Sequence, residues 1–225
     1  MNLTDFSIYL GYWAEVFTLV PIIIGLFFFN KYRLSLKLFW IFLLFTFLTD
    51  FTSEILRWNE FRNYFLNYFY SLWNCLLLIS LYFFFPSNIP FKRYTFCSIL
   101  VCIFFLLVDL LLVRGFKNQI NYLSLIATNF ITFLNILYTF IQIVNFKEKI
   151  NLTTSIFSYV MLGLIISISP KLVFVIFTPF LLETALNYPL FFQLQNLVSF
   201  FSLFSLSIFS WALYIMYPKF RTSFQ

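Results

Sequence analysis

The stretch Lys37–Leu56, KLFWIFLLFTFLTDFTSEIL, decides the fold. Between Lys37 and Asp50 no ionisable side chain interrupts it, and its only polar groups are the hydroxyls of Thr46 and Thr49. A helix rising about 1.5 Å per residue needs roughly 20 such residues to cross about 30 Å of hydrocarbon. This stretch is therefore a membrane span. Six more runs of the same kind flank it, giving expected spans at about 7–29, 37–56, 64–85, 95–113, 122–145, 154–182 and 190–216. The connections between them are all short, so the 225 residues predict one all-α domain, an integral membrane bundle of seven helices with no room for a soluble module.

Composition agrees. Hydrophobic residues make up 62% of the chain and charged ones 10%, against roughly half and a quarter in a soluble domain. Fourteen Lys and Arg against eight Asp and Glu give a net charge of +6, but the cations sit in short loops between apolar runs, which argues against nucleic acid as a partner. One set of alternate loops holds Lys31, Arg33, Lys37, Lys92, Arg93, Lys147, Lys149, Lys219 and Arg221; the other holds Arg57, Arg62, Arg114 and Lys117. Basic residues collect on the cytoplasmic side, so the expected topology has the N-terminus outside and the C-terminus cytoplasmic, in a bacterial inner membrane. The opening residues lack a basic leader and a cleavage pattern, which predicts a retained first helix.

Histidine is absent, and Cys75, Cys97 and Cys102 lie inside apolar runs without metal-binding spacing. No metal site, cofactor or disulfide framework is expected, and the cysteines read as small core residues. With four glycines the chain also lacks a phosphate-cradling loop, and no nucleophile elbow or zinc-helix motif occurs. The absence of a lysine from Leu190–Met216 argues against covalent retinal, and the absence of a Pro-Gln pair against a PQ-loop transporter.

Ionisable groups within spans are costly unless paired or wetted, and so mark candidate sites. Glu15, Asp50, Glu54, Asp109 and Lys171 qualify. Asp50 and Glu54, at i and i+4, share one helix face. Two carboxylates so close predict either a held proton or an intervening cation, and Lys171 is the basic residue at similar depth. Its alternative is to snorkel outward along its own stem. Pro170, beside it, frees the carbonyl of Ile166 and predicts a kink. Asn67, Asn129, Gln193 and Asn196 join the carboxylates in the outer half, where the expected polar pocket lies; Asn74 and Asn135 lie nearer the middle, as interhelical hydrogen-bonding residues.

The segments Leu43–Leu56 (LLFTFLTDFTSEIL), Asn67–Phe85 (NYFYSLWNCLLLISLYFFF), Tyr159–Phe177 with its GLIISISPK stretch, and Gln195–Trp211 resemble a family of small seven-helix inner-membrane proteins of Bacteroidetes-type bacteria. The family pattern has an acidic residue where this chain has Asn74, and Gly-Asn where it has Pro170-Lys171. The resemblance implies a membrane-associated signalling partner such as a sensor kinase. The leading expectation is a non-enzymatic membrane sensor or accessory subunit with the lipid bilayer as its surroundings. The rival is a small-solute or ion-coupled transporter using Asp50, Glu54 and Lys171. A membrane enzyme comes third, since carboxylates without histidine or metal ligands support little acid–base chemistry.

Overall fold

A computed structural model describes residues 3–32, 34–59, 65–83, 89–113, 122–145, 156–182 and 188–222. Among these there is no strand. The helices are α1 (Leu3–Phe17), α2 (Leu19–Phe28), α3 (Leu34–Trp58), α4 (Leu66–Tyr82), α5 (Ile89–Val108), α6 (Tyr122–Asn145), α7 (Ile156–Leu182) and α8 (Tyr188–Thr222). A single 3₁₀ turn, Phe29–Lys31, follows α2, and a π-helical turn, Asp109–Val113, extends α5.

Six helical segments are long and apolar enough to cross a membrane: Tyr9–Phe28, Leu34–Leu56, Pro90–Leu111, Leu123–Val144, Ser158–Thr178 and Pro189–Tyr214. The chain thus has the character of a multi-pass membrane protein. Helix α4, 17 residues long and interrupted by Asn67, Ser71, Asn74 and Ser80, falls short of that measure. Its polar groups turn inward instead: Ser71, Asn74 and Ser80 are all buried.

The side chains are distributed as a bilayer solvent requires. Trp13, Phe27 and Leu111 are 66%, 77% and 73% exposed, whereas Ser71, Thr95, Ser124, Thr128, Thr132, Asn135 and Thr139 are wholly or almost wholly buried. Exposed aromatics are costly in water and at home in lipid, where hydroxyls and amides seek the interior. Many hydroxyls bond back to their own helix, as Thr46 to the Phe42 carbonyl, Thr52 to Leu48 and Ser210 to Leu206, at 2.7–2.9 Å. That local bond lets Ser and Thr enter a span without leaving a bare donor.

Helix α6 coincides with the expected span at 122–145. The first span differs, because α1 begins at Leu3 and the helix is interrupted at Thr18. Pro21 has no N–H for the Phe17 carbonyl and its ring crowds that carbonyl, so the regular ladder cannot pass there. Thr18 takes up the slack: its amide bonds to Glu15 at 3.1 Å and its hydroxyl to Ala14 at 3.0 Å. At Pro170 the element is not divided, and α7 runs through it from Ile156 to Leu182. Helix α5 starts at Ile89, earlier than expected, since Pro90 falls in the first turn, where its missing N–H has no partner to lose.

The backbone groups into two compact units, Met1–Lys31 with Ile136–Gln225, and Tyr32–Asn135. In the first, α8 packs against α7, α1 and α2. Helices α7 and α8 approach so closely at Gly163 that a Cβ there would meet the Phe209 ring, and Phe174 and Phe191 contact each other at 5.3 Å between ring centres. In the second unit α4 lies between α3 and α5, with Leu77, Leu78, Leu81, Leu36 and Phe39 buried. Ser80 donates to the Ser35 carbonyl at 2.7 Å, and the Lys92 ammonium sits 5.4 Å from the centre of the Tyr82 ring.

Candidate functional site

In the second unit, neighbouring helices run antiparallel, as the pairs Asp50–Tyr70, Thr49–Trp73 and Ser35–Ser80 show. One end of the unit therefore collects the latter part of α3, the start of α4, the end of α5 and the start of α6. That end holds Asp50, Glu54, Asn67, Tyr70, Asn74, Asp109, Ser124 and Thr128. The starts of α3 and α5, at the other end, hold Lys37, Lys92 and Arg93.

Asp50 and Glu54 lie one turn apart on α3, both half-buried, as their spacing requires. The Tyr70 hydroxyl donates to Asp50 Oδ1 at 2.5 Å. An O–H donated to a carboxylate is short and about twice as strong as a neutral pair. Directly beside it, Trp73 Nε1 donates to the Thr49 hydroxyl at 2.8 Å, which passes its own hydrogen to the Phe45 carbonyl at 2.9 Å. The Phe45 ring lies nearly parallel to Trp73, with centres 4.5 Å apart and planes at 8°. Helices α3 and α4 are thus joined at two successive positions by side chains that also form the polar end.

Asp109 is fully buried at the first position of the π-helical turn. Its Oδ2 accepts the Ser124 backbone N–H at 3.3 Å, and its Oδ1 has no hydrogen-bond partner. Ser124 belongs to the first turn of α6, whose amides have no partner within the helix, so the carboxylate caps that helix from α5 and meets its positive dipole end. The Thr128 hydroxyl donates to the Ser124 carbonyl at 2.8 Å, and Asn74 Nδ2 reaches the Thr128 oxygen at 3.5 Å. Helix α4 therefore carries Tyr70 and Asn74 one turn apart, the first holding α3 and the second touching α6.

Of the residues singled out in the sequence, Asp50, Glu54, Asn67 and Asp109 stand at this end of the second unit. Asn67 is half-buried, and its carbonyl accepts the Ser71 hydroxyl at 3.2 Å. Glu15, Lys171, Gln193 and Asn196 belong to the first unit. Glu15 and Lys171 are half-buried, Gln193 is exposed, and Asn196 is half-buried with an amide oxygen that is itself buried without a hydrogen-bond partner. Asn129 turns to its own helix, bonding the Leu125 carbonyl at 2.8 Å. Among the described residues no group of three or more Cys, Asp or Glu is placed to hold a metal ion.

Tyr70, Trp73, Ser124 and Thr128 were not singled out in the sequence. One signal was available for α6, where Ser124, Thr128, Thr132, Asn135 and Thr139 recur at helical spacing and are all fully buried. Comparison with family models, with curated proteins and with solved structures returns no match.

Proposed function

We propose that this chain is a seven-span inner-membrane sensor or accessory subunit, N-terminus outside and C-terminus cytoplasmic, that binds a small or lipidic ligand at the polar end of its second unit and signals through a partner such as a sensor kinase. The observation that carries the reading is the Tyr70–Asp50 bond beside the Trp73–Thr49 bond. The groups that offer themselves to a ligand are the same groups that fasten α3 to α4. A ligand that takes the Tyr70 hydroxyl or the Asp50 carboxylate shifts the packing of those helices by its differential affinity for the two arrangements, which is the thermodynamic requirement for a sensor. Helix α4 serves as the seventh span, its polar side chains shielded by α3, α5 and α6.

The depth of the carboxylates supports the orientation. They stand at the end of the second unit opposite Lys37, Lys92 and Arg93, and basic residues favour the cytoplasmic face.

The second reading, an ion-coupled carrier that switches charge at Asp50, Glu54 and Lys171, draws on the buried polar face of α6, since an ion crossing a span needs oxygen ligands in place of water. One pair of experiments separates the two. A sensor subunit co-purifies with a kinase from its native membrane and shows no solute flux in proteoliposomes. Flux that is lost in Asp50→Asn and Lys171→Met would establish the carrier and overturn the sensor.

A further inference from the structure

We infer that α5 carries a binding site for one anionic phospholipid, with Lys92 and Arg93 holding the headgroup phosphate and an acyl chain lying along the exposed face of the helix that continues from them. The inference is independent of the sensor reading and of whatever occupies the opposite end of the second unit. Arg93 is exposed and Lys92 half-buried, and the Lys92 ammonium stands 5.4 Å from the centre of the Tyr82 ring, at the seam where the last turn of α4 meets α5. Successive residues of an α-helix are turned by about 100°, so these two cations bracket an arc of that width. Phe96, Leu100, Ile103 and Leu107 all fall inside the arc, and all of them are exposed. They cover about 16 Å of helix, one leaflet of a hydrocarbon core about 30 Å thick. A cationic pair at the head of such an apolar stripe matches both ends of a phospholipid, whereas a free phosphate would use only the first.

Charge selects the class of lipid. The first turn of α5 presents amides without an intrahelical partner and the positive end of the helix dipole, and Lys92 and Arg93 add their own positive charge beside it. No acidic residue stands in that first turn, and the described acids of the second unit, Asp50, Glu54 and Asp109, are at its other end. A phosphatidylglycerol headgroup brings a net negative charge to this field. A phosphatidylcholine headgroup brings its own cation with its phosphate and relieves the repulsion less. Each basic residue near a membrane surface favours an anionic lipid by about a factor of five, so the pair predicts a preference of about 25-fold.

The test uses the full chain purified in detergent, with phosphatidylglycerol and phosphatidylcholine of identical acyl chains titrated in native mass spectrometry. The expected result is one phosphatidylglycerol per chain, bound about 25-fold more tightly than phosphatidylcholine and not displaced by excess inorganic phosphate. Lys92→Gln with Arg93→Gln should bring phosphatidylglycerol down to the phosphatidylcholine level, and Lys92→Arg with Arg93→Lys should keep the preference. Lys37→Gln, which removes an equal charge from the start of α3 on the other side of α4, should leave the preference unchanged. A photolysed diazirine-chain phosphatidylglycerol in liposomes of the unaltered protein gives a readout that needs no variant to fold: its label should fall on α5 between Phe96 and Leu107. Equal binding of the two lipids, a preference that survives loss of both cations or falls equally in Lys37→Gln, displacement by inorganic phosphate, or label spread over the exposed faces of other helices would each overturn the inference.

Discussion

The Tyr70 hydroxyl meets Asp50 Oδ1 at 2.5 Å, across helices whose partners are 20 residues apart in sequence. A carboxylate within a span is thereby held by a neutral donor on the neighbouring helix. Tyr70→Phe removes that donor. Interhelical polar bonds in membrane bundles average about 0.6 kcal/mol and reach about 1.7, and a short bond to a carboxylate belongs at the upper end. Thermal unfolding in detergent should show a loss of about 1–2 kcal/mol. A Tyr70→Phe/Asp50→Asn double-mutant cycle should show non-additivity of the same size. Additive effects would contradict the pairing.

Trp73→Phe removes the Nε1 donor to Thr49 and keeps an aromatic ring against Phe45. The expected cost is smaller, about 0.5–1 kcal/mol, because Thr49 retains its bond to the Phe45 carbonyl. Trp73→Ala loses the stack as well, and cavity formation raises the cost to about 3 kcal/mol or more. The difference between the two variants, read by the same unfolding assay, measures the ring packing separately from the hydrogen bond.

At Asp109 the expected order is fixed by acceptor chemistry. Asp109→Asn keeps an oxygen for the Ser124 amide, so it should cost less than about 1 kcal/mol. Asp109→Ala leaves that amide without its acceptor, at about 1–2 kcal/mol. Hydrogen exchange at the Ser124 amide should quicken in the Ala variant before the rest of α6 changes. Equal exchange in both variants would show that the carboxylate does not cap the helix.

How much of this was legible in the sequence depends on whether the signal lies along one helix or between two. Asn121 and Asn145 punctuate α6 at both ends, and its bounds could be read directly. The Asp50–Glu54 pair was legible too, because i, i+4 spacing sets a face without knowledge of neighbours. Tyr70 was not, since the register of α4 against α3 depends on packing that no local pattern encodes. The pair alone predicts a held proton or a cation, and the neutral Tyr70 donor to Asp50 comes from the neighbouring helix. On α6 the amide Asn129, conspicuous in the sequence, bonds its own backbone, whereas the small side chains of Ser124 and Thr128 come close to α5 and α4.

Gly163 has no room for a side chain, because a Cβ there would collide with the Phe209 ring. Gly163→Ala should destabilise the first unit by about 1–3 kcal/mol, the usual range for overpacking. Phe209→Leu in the same chain should restore part of that loss by withdrawing the ring. If Gly163→Ala leaves unfolding unchanged, α7 and α8 are less closely apposed than described.

Tyr32, in the turn before α3, carries a buried hydroxyl without a hydrogen-bond partner, and burial pushes its pKa from 10.0 up to about 12. Between those values the unfolded phenol has lost its proton while the folded one keeps it, so stability falls as pH rises. The contribution is intact below pH 10 and is lost as pH passes 12. Tyr32→Phe should flatten this alkaline decline and leave neutral stability equal or higher, since it removes an unsatisfied buried group. An unchanged alkaline slope in that variant would assign the decline to another residue.

The account rests most heavily on a polar end of the second unit that is wet and faces outward, within helices otherwise solvated by lipid. Asp50→Cys in a Cys97→Ser background tests this directly, by labelling intact cells or right-side-out vesicles with a membrane-impermeant thiosulfonate. The account predicts labelling from outside, slowed when a ligand occupies the site, with a Leu48→Cys control on the exposed apolar face remaining unlabelled. Failure to label position 50 from outside, or labelling only in inverted vesicles, would contradict it.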